Sequence, residues 1–233
     1  MNFNPWIKGF AHLFFPRVCQ ACGHVLYARE EVLCTKCLYR LPKTNFSEHD
    51  ENPVSRTFWG RVELNAATAF LFFSKGGKTQ RLMHGLKYRG KKQIGIYLGK
   101  LFGNELKKSA LFNDVEVVIP VPMHPKKQQK RGYNQSALIA EGIAFSMKAE
   151  LQTNNLVKMV NTSSQTKKSR YGRWDNVKDV FGVNNALLLK NKHILLVDDV
   201  ITTGATIEAC ARQLHTIRGV KISVASLAHA PGW

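Results

Sequence analysis

The stretch Leu195-Leu196-Val197-Asp198-Asp199-Val200-Ile201-Thr202-Thr203-Gly204-Ala205-Thr206 decides the reading of this chain. An apolar run ends at two adjacent acids, a loop of hydroxyls and glycine follows, and a helix begins at Thr206. A helix start offers unpaired backbone N–H groups and the positive end of a dipole, which suits an anion. Thr202, Thr203 and Thr206 add hydroxyl donors, and Gly204, just before Ala205, lets the backbone come close. The loop therefore suits a phosphate monoester. The acids cannot hold that same phosphate, because like charges repel. Asp198 and Asp199 must face something beside it, such as a diol or a metal ion, since carboxylates accept from hydroxyls and attract Mg²⁺. Loop and acids together describe a site for a ribose 5-phosphate. Paired aspartates closing a buried strand are costly without such a partner.

Around this segment the chain alternates. Ala67–Phe73, Val115–Val121, Leu156–Val160, Phe181–Val183, His193–Val197 and Lys221–Ala228 read as strands. Gln80–Lys87, Ile94–Lys107, Gln135–Met147 and Thr206–Arg218 read as helices. Strands alternating with helices imply an α/β fold, a parallel sheet covered on both faces, with ligands at the carboxyl ends of its strands. Gly95, Gly99 and Gly103, four residues apart, predict a small-residue helix face packed closely on a neighbour. Gly76-Gly77-Lys78-Thr79 looks like the tail of a P-loop, but Phe72 stands where a full P-loop needs glycine, so an ATPase is not expected.

The other strong pattern is Cys19-x2-Cys22, an eleven-residue spacer, then Cys34-x2-Cys37. Each pair can turn two thiolates toward one tetrahedral ion, and two pairs close its shell. The alternative, two disulfides, needs an oxidising compartment. Residues 1–18 have no basic n-region and no small-residue cleavage site, so they make a poor secretion signal. Trp6, Phe10, Leu13 and Phe14 fall at helical spacing and predict a short amphipathic helix. The expected setting is cytoplasmic and the tetrad a structural Zn²⁺ site, zinc being preferred to iron for an isolated four-Cys pair. The fifth cysteine, Cys210, reads as a buried thiol. These features divide the chain into a helix and four-Cys module over 1–45, a linker over 46–60 overlapping the polar stretch from Lys43 to Arg56, and a main domain over 61–233.

The 233 residues carry 34 Lys+Arg against 16 Asp+Glu, a formal charge of +18, and 44% are hydrophobic. That excludes global disorder and points to a polyanionic partner. No apolar run reaches the ~18–20 residues that cross a bilayer, so no transmembrane segment is expected. From Leu64 to Asn104 there are eight basic residues and no acid: Lys75, Lys78, Arg81, Lys87, Arg89, Lys91, Lys92 and Lys100, with His84, Tyr88 and Tyr97 among them. A basic groove interleaved with aromatics suits single-stranded DNA.

The segment around Asp198 and Asp199 resembles the 5-phosphoribosyl-1-pyrophosphate (PRPP) motif of type I phosphoribosyltransferases. The resemblance implies that both acids engage the ribose hydroxyls, that Thr202 to Thr206 cradle the 5-phosphate, and that Mg²⁺ shields the pyrophosphate. Three further segments narrow it: Pro122, His124, Pro125 and Arg131-Gly132-Tyr133-Asn134-Gln135; the basic run Gln165 to Asn176; and Phe15-Pro16-Arg17 before the cysteines. With these the chain is similar to the bacterial ComF family, which joins a zinc module to a phosphoribosyltransferase-like domain and is linked to DNA uptake in competence. By that pattern the Val121–Gln135 loop, with Lys126, Lys127 and Arg131, faces pyrophosphate. Gln165–Asn176, with Lys168 and Arg170, is a flexible loop, although Lys167, Lys168 and Ser169 stand where a more apolar pattern is common in the family. The expected function is Mg-dependent PRPP binding in a protein that acts with single-stranded DNA and the competence machinery. Arg131 is the first candidate to stabilise a leaving pyrophosphate, beside Asp198 and Asp199. Two alternatives stand next to it: a non-catalytic single-stranded DNA binder on the same scaffold, and a base phosphoribosyltransferase of nucleotide salvage.

Overall fold

A computed structural model describes residues 16–159 and 180–230. The expected N-terminal amphipathic helix and the expected flexible loop, with Lys168 and Arg170, lie outside the described residues. In chain order the elements are α1 (Thr35–Tyr39), α2 (Pro53–Arg56), β1 (Ala66–Phe72), α3 (Lys78–Tyr88), α4 (Gln93–Leu106), β2 (Val117–Pro120), α5 (Pro125–Arg131), α6 (Gln135–Met147), β3 (Glu150–Leu151), β4 (Leu156–Lys158), β5 (Phe181–Val183), β6 (His193–Ile201), α7 (Ala205–Leu214) and β7 (Lys221–His229).

Five strands form one parallel sheet in the order β1-β7-β6-β2-β3. Side chains alternate faces along a strand, and both faces here are buried. Leu195 and Val197 of β6 join Phe70, Val118 and Leu227 on the face covered by α3, α4 and α6. Ile194 and Leu196 join Val117, Ile119 and Val224 on the face covered by α7. The remaining strands, β4 and β5, pair antiparallel as a separate ribbon rather than extending the sheet. From β2 the chain runs outward to β3, and from β6 it runs the other way to β7. The carboxyl ends of β2 and β6 therefore border a topological switch point, where open α/β sheets form a crevice.

Three expectations change. The strand expected to stop at Val197 continues through the acids to Ile201, because its ladder with β7 persists to Val200↔Ala228 and Ile201↔His229. The stretch read as a pyrophosphate loop contains a helix, α5. Pro125 opens it, His124 Nδ1 accepts from the Lys126 N–H at 3.2 Å, and Gly132 ends it in the left-handed region. Finally, the polar stretch read as a linker packs into the body. Asn52 caps α2 and donates from Nδ2 to Ala67 O at 2.8 Å, while Val54 and Phe58 are buried.

The glycine face behaves as expected. A Cβ on Gly99 would lie 2.3 Å from Ile139 O of α6, and one on Gly103 would lie 2.7 Å from Ile143 O. These obstacles are backbone and cannot rotate away. Gly99→Ala is expected to cost about 1–3 kcal/mol of unfolding free energy through overpacking. The exposed Asn104→Ala on the same helix should stay within about 0.5 kcal/mol. Urea unfolding of both variants checks this, and similar midpoints would contradict the close packing.

Candidate functional site

The site is built where β6 runs out. Asp198 and Asp199 are both half-buried there. Asp198 Oδ1 accepts from Ser136 Oγ at 3.0 Å and from the Asp199 N–H at 2.8 Å. Ser136 is positioned by Asn134, whose Oδ1 caps α6 through the Ser136 N–H at 3.0 Å and whose Nδ2 donates to Val121 O at 3.0 Å. The carboxyl end of β2 is thus tied to the acid pair through the start of α6. Beside Ser136, Gln135 is buried, and neither end of its amide has a hydrogen-bond partner among the described residues. Asp199 Oδ2 pairs with Lys87 Nζ of α3 at 2.8 Å. Burial and the neighbouring Asp199 charge push the Asp198 carboxyl up to about 7, against the smaller opposing pull of its hydrogen bonds and of Lys87.

The loop after the acids is held from behind. Gly204 has φ +73, and a Cβ there would lie 2.7 Å from the Phe58 ring, so conformation and space both require glycine. Arg61 Nη1 donates to Thr203 O at 2.7 Å and to Thr57 O at 3.0 Å. Its other nitrogens grip Glu208 of α7, which also receives Arg212. Thr202, Thr203, Ala205 and Thr206 remain exposed around a cavity of about 50 Å³ that reaches Asp198. On the other side of the acids a larger cleft of about 430 Å³ is lined by Phe73, Met83, His84, Lys87, Tyr88 and Asp199, and it also reaches Thr202. One small polar cavity with hydroxyls and a helix start, one larger cleft and a carboxylate pair between them make up the candidate site.

The structure brings the acids and the Thr202–Thr206 loop together. Arg131 sits beside the larger cleft, its guanidinium 5.5 Å from the Tyr88 ring centroid. Lys126 and Lys127 are exposed on α5. Sequence reasoning missed Ser136, Phe58 and Arg61, and it noted Lys87 only as one of a basic run. Lys87 alone had a signal, a lysine in a run without acids. The others act by backing or aiming the site from distant segments.

The four cysteines form a second centre. Their sulfurs lie within 4.8 Å of one another, and all five cysteines of the chain are free thiols. Cys22 Sγ and Cys34 Sγ are 3.7 Å apart. That is far from a disulfide and close to the ~3.8 Å edge of a tetrahedron with metal–sulfur bonds of ~2.3 Å. The Cys34 N–H points at Cys19 Sγ at 3.3 Å, a bond that favours a thiolate. The set fits a metal ion closed off by four thiolates.

Residues 136–232 match the family model of the phosphoribosyl transferase domain. The DNA utilization protein YhgH of Salmonella typhimurium is 27% identical over 136 residues, covering 57% of this chain and 59% of that protein. Competence protein F of Haemophilus influenzae is 35% identical over 120 residues, covering 49% and 51%. The chain therefore spans between half and three fifths of the length of these relatives. Among solved structures, an adenine phosphoribosyltransferase aligns with a TM-score of 0.39 and 13% identity, over 64% of this chain and 74% of that one. No helix among the described residues is long and apolar enough to cross a membrane.

The Asp198 environment generates a prediction. An acid near pKa 7 in the fold and ~3.9 when unfolded keeps its proton longer in the fold. Its contribution to stability is greatest below about pH 4 and is lost as pH rises through 7. Asp198→Asn keeps an oxygen for Ser136 and carries no charge. It should raise unfolding free energy at pH 8 by on the order of 2 kcal/mol, discounted for partial exposure, and by almost nothing at pH 4. Parallel melts at the two pH values check this, and an equal difference at both would contradict it.

Proposed function

We propose that this ComF-like chain, with its phosphoribosyl transferase domain and its competence and DNA utilization relatives, binds PRPP with Mg²⁺ at the carboxyl end of β6 and acts with single-stranded DNA during uptake. The observation that carries the reading is the acid pair between two unequal cavities. In it the exposed hydroxyls and backbone of Thr202 to Thr206 cradle the 5-phosphate, and the small cavity sets their spacing. Asp198 and Asp199 receive the ribose 2- and 3-hydroxyls, while the larger cleft takes the pyrophosphate-bearing carbon. Mg²⁺, when bound, neutralises pyrophosphate charge. Lys87 is released from Asp199 as the ribose arrives and gives its charge to the phosphates, with Arg131, Lys126 and Lys127 of α5 and Lys168 and Arg170 as further cations.

If the chain also catalyses transfer, a nitrogen nucleophile forms a bond to the anomeric carbon as that carbon's bond to pyrophosphate breaks, and the nitrogen's proton passes to solvent. Catalysis would then rest on positioning and on charge stabilisation of the leaving group. The four thiolates hold a structural Zn²⁺ in this account, in the cytoplasm, where cysteines stay reduced. For the DNA role the support is the acid-free basic run with its aromatics and the names of the relatives.

A thermal-shift titration with PRPP and Mg²⁺ tests the site. The wild type should melt higher as ligand rises, by the amount expected of a ligand that binds only the native state. The Asp198→Asn/Asp199→Asn variant should be folded and show no shift. A wild type without a shift, or a variant that shifts equally, would sink the proposal.

A further inference from the structure

Helix α3 separates two cavities. One is the cleft beside Asp199. The other, about 670 Å³, lies between α3 and the four-Cys segment from Val18 to Gly23. They meet at Gln80 and His84, which line both. Arg81, His84, Arg89 and Lys91 supply the charged and polar wall of the second cavity, and none of its lining residues is acidic. Its two walls are joined by Arg81 Nη1, which donates to Ala21 O at 3.4 Å. Its rim includes Gly76, from the glycine pair that resembles a P-loop in sequence. Beside His84, on the side of the first cleft, Tyr88 stands 68% exposed, its ring centroid 5.0 Å from that of His84 and 5.5 Å from the Arg131 guanidinium.

We infer that this trough between the four-Cys segment and α3 is a second polyanion site, which takes the backbone of a single-stranded nucleic acid, with Tyr88 and His84 as a base-stacking step where it opens into the ribose-phosphate cleft. The inference rests on the DNA part of the proposed function for its partner class and is independent of PRPP binding. Cationic groups spaced along a trough match a chain of phosphates better than one small anion. An exposed ring flanked by cations offers a face to an unpaired base, and a duplex has no free base face to give it. The four-Cys module thereby has a role beyond its own stability: its backbone is one wall of the trough.

The test is fluorescence anisotropy with a labelled 20-nucleotide oligothymidylate at several salt concentrations. Arg81→Ala/Arg89→Ala/Lys91→Ala should weaken binding at least tenfold. It should also flatten the salt dependence by about 2, at roughly 0.7 per lost phosphate contact on a single strand. Tyr88→Ala should weaken it about tenfold with the salt slope unchanged. A charge-matched control, Lys107→Ala/Lys108→Ala/Lys190→Ala, removes exposed lysines away from the trough and should cost less than threefold. Melting curves confirm that each variant folds. Equal losses in the control and trough variants would overturn the assignment. So would competition by polyglutamate as strong as that by unlabelled oligonucleotide, which would make the surface a dock for an acidic protein, or equal affinity for a duplex of the same length. A wild type that binds the oligonucleotide but shows no PRPP shift would contradict the ribose-phosphate reading and leave this one standing.

Discussion

Two carboxylates at the end of the central strand constrain everything around them. The β6–β7 ladder runs on beyond Asp198 and Asp199 to Ile201, so the backbone under the acids is held in the sheet. Each must find a partner in place. Asp198 takes Ser136 and its neighbour's N–H, and its carboxyl still sits near 7. Asp199 takes Lys87 from a helix on the other side of the cleft. A fold that keeps the Asp198 carboxyl in this position gives up stability as pH rises through neutrality, which is characteristic of sites shaped for a ligand rather than for the fold alone.

The rest of the architecture holds that pair and its loop still. The Gly99 and Gly103 contacts bring α4 close to α6, and α6 carries Ser136 at its start. Phe58 fills the space beneath Gly204, and Arg61 fixes the Thr203 carbonyl through a network shared with Glu208 and Arg212. The segment from Phe58 to Arg61 and helix α7 therefore meet behind one short loop. Helix α3 does the corresponding work on the open side, carrying Lys87 toward the acids and Arg81 toward the four-Cys segment.

Much of this was legible in the sequence for definite physical reasons. Buried parallel strands are apolar runs, so Leu195 to Val197 and Val117 to Ile119 stood out, and helix-spaced glycines announced the α4–α6 contact. The Thr202–Thr206 loop and the cysteine pairs were legible because each is a compact local pattern of one kind of chemistry. Helix α5 was not, since Pro125 to Arg131 has no apolar face and hence no periodicity to read; only its caps mark it. The stretch from Asn52 to Phe58 looked like a linker because it is polar in composition. Its structure comes from Asn52 reaching the β1 backbone and from two buried apolar residues, Val54 and Phe58. Ser136, Lys87 and Arg61 act across 62, 112 and 142 residues of sequence, distances at which a single chain carries no pairing signal.

The account's central claim is that the acid pair and the Thr202–Thr206 loop together hold a ribose 5-phosphate. A crystal structure of the chain grown with PRPP and Mg²⁺ tests it most directly. The account predicts the 5-phosphate within the Thr202–Thr206 loop, the ribose hydroxyls on Asp198 and Asp199, and Lys87 turned away from Asp199. A ligand bound elsewhere, with the Lys87–Asp199 pair intact, would contradict it.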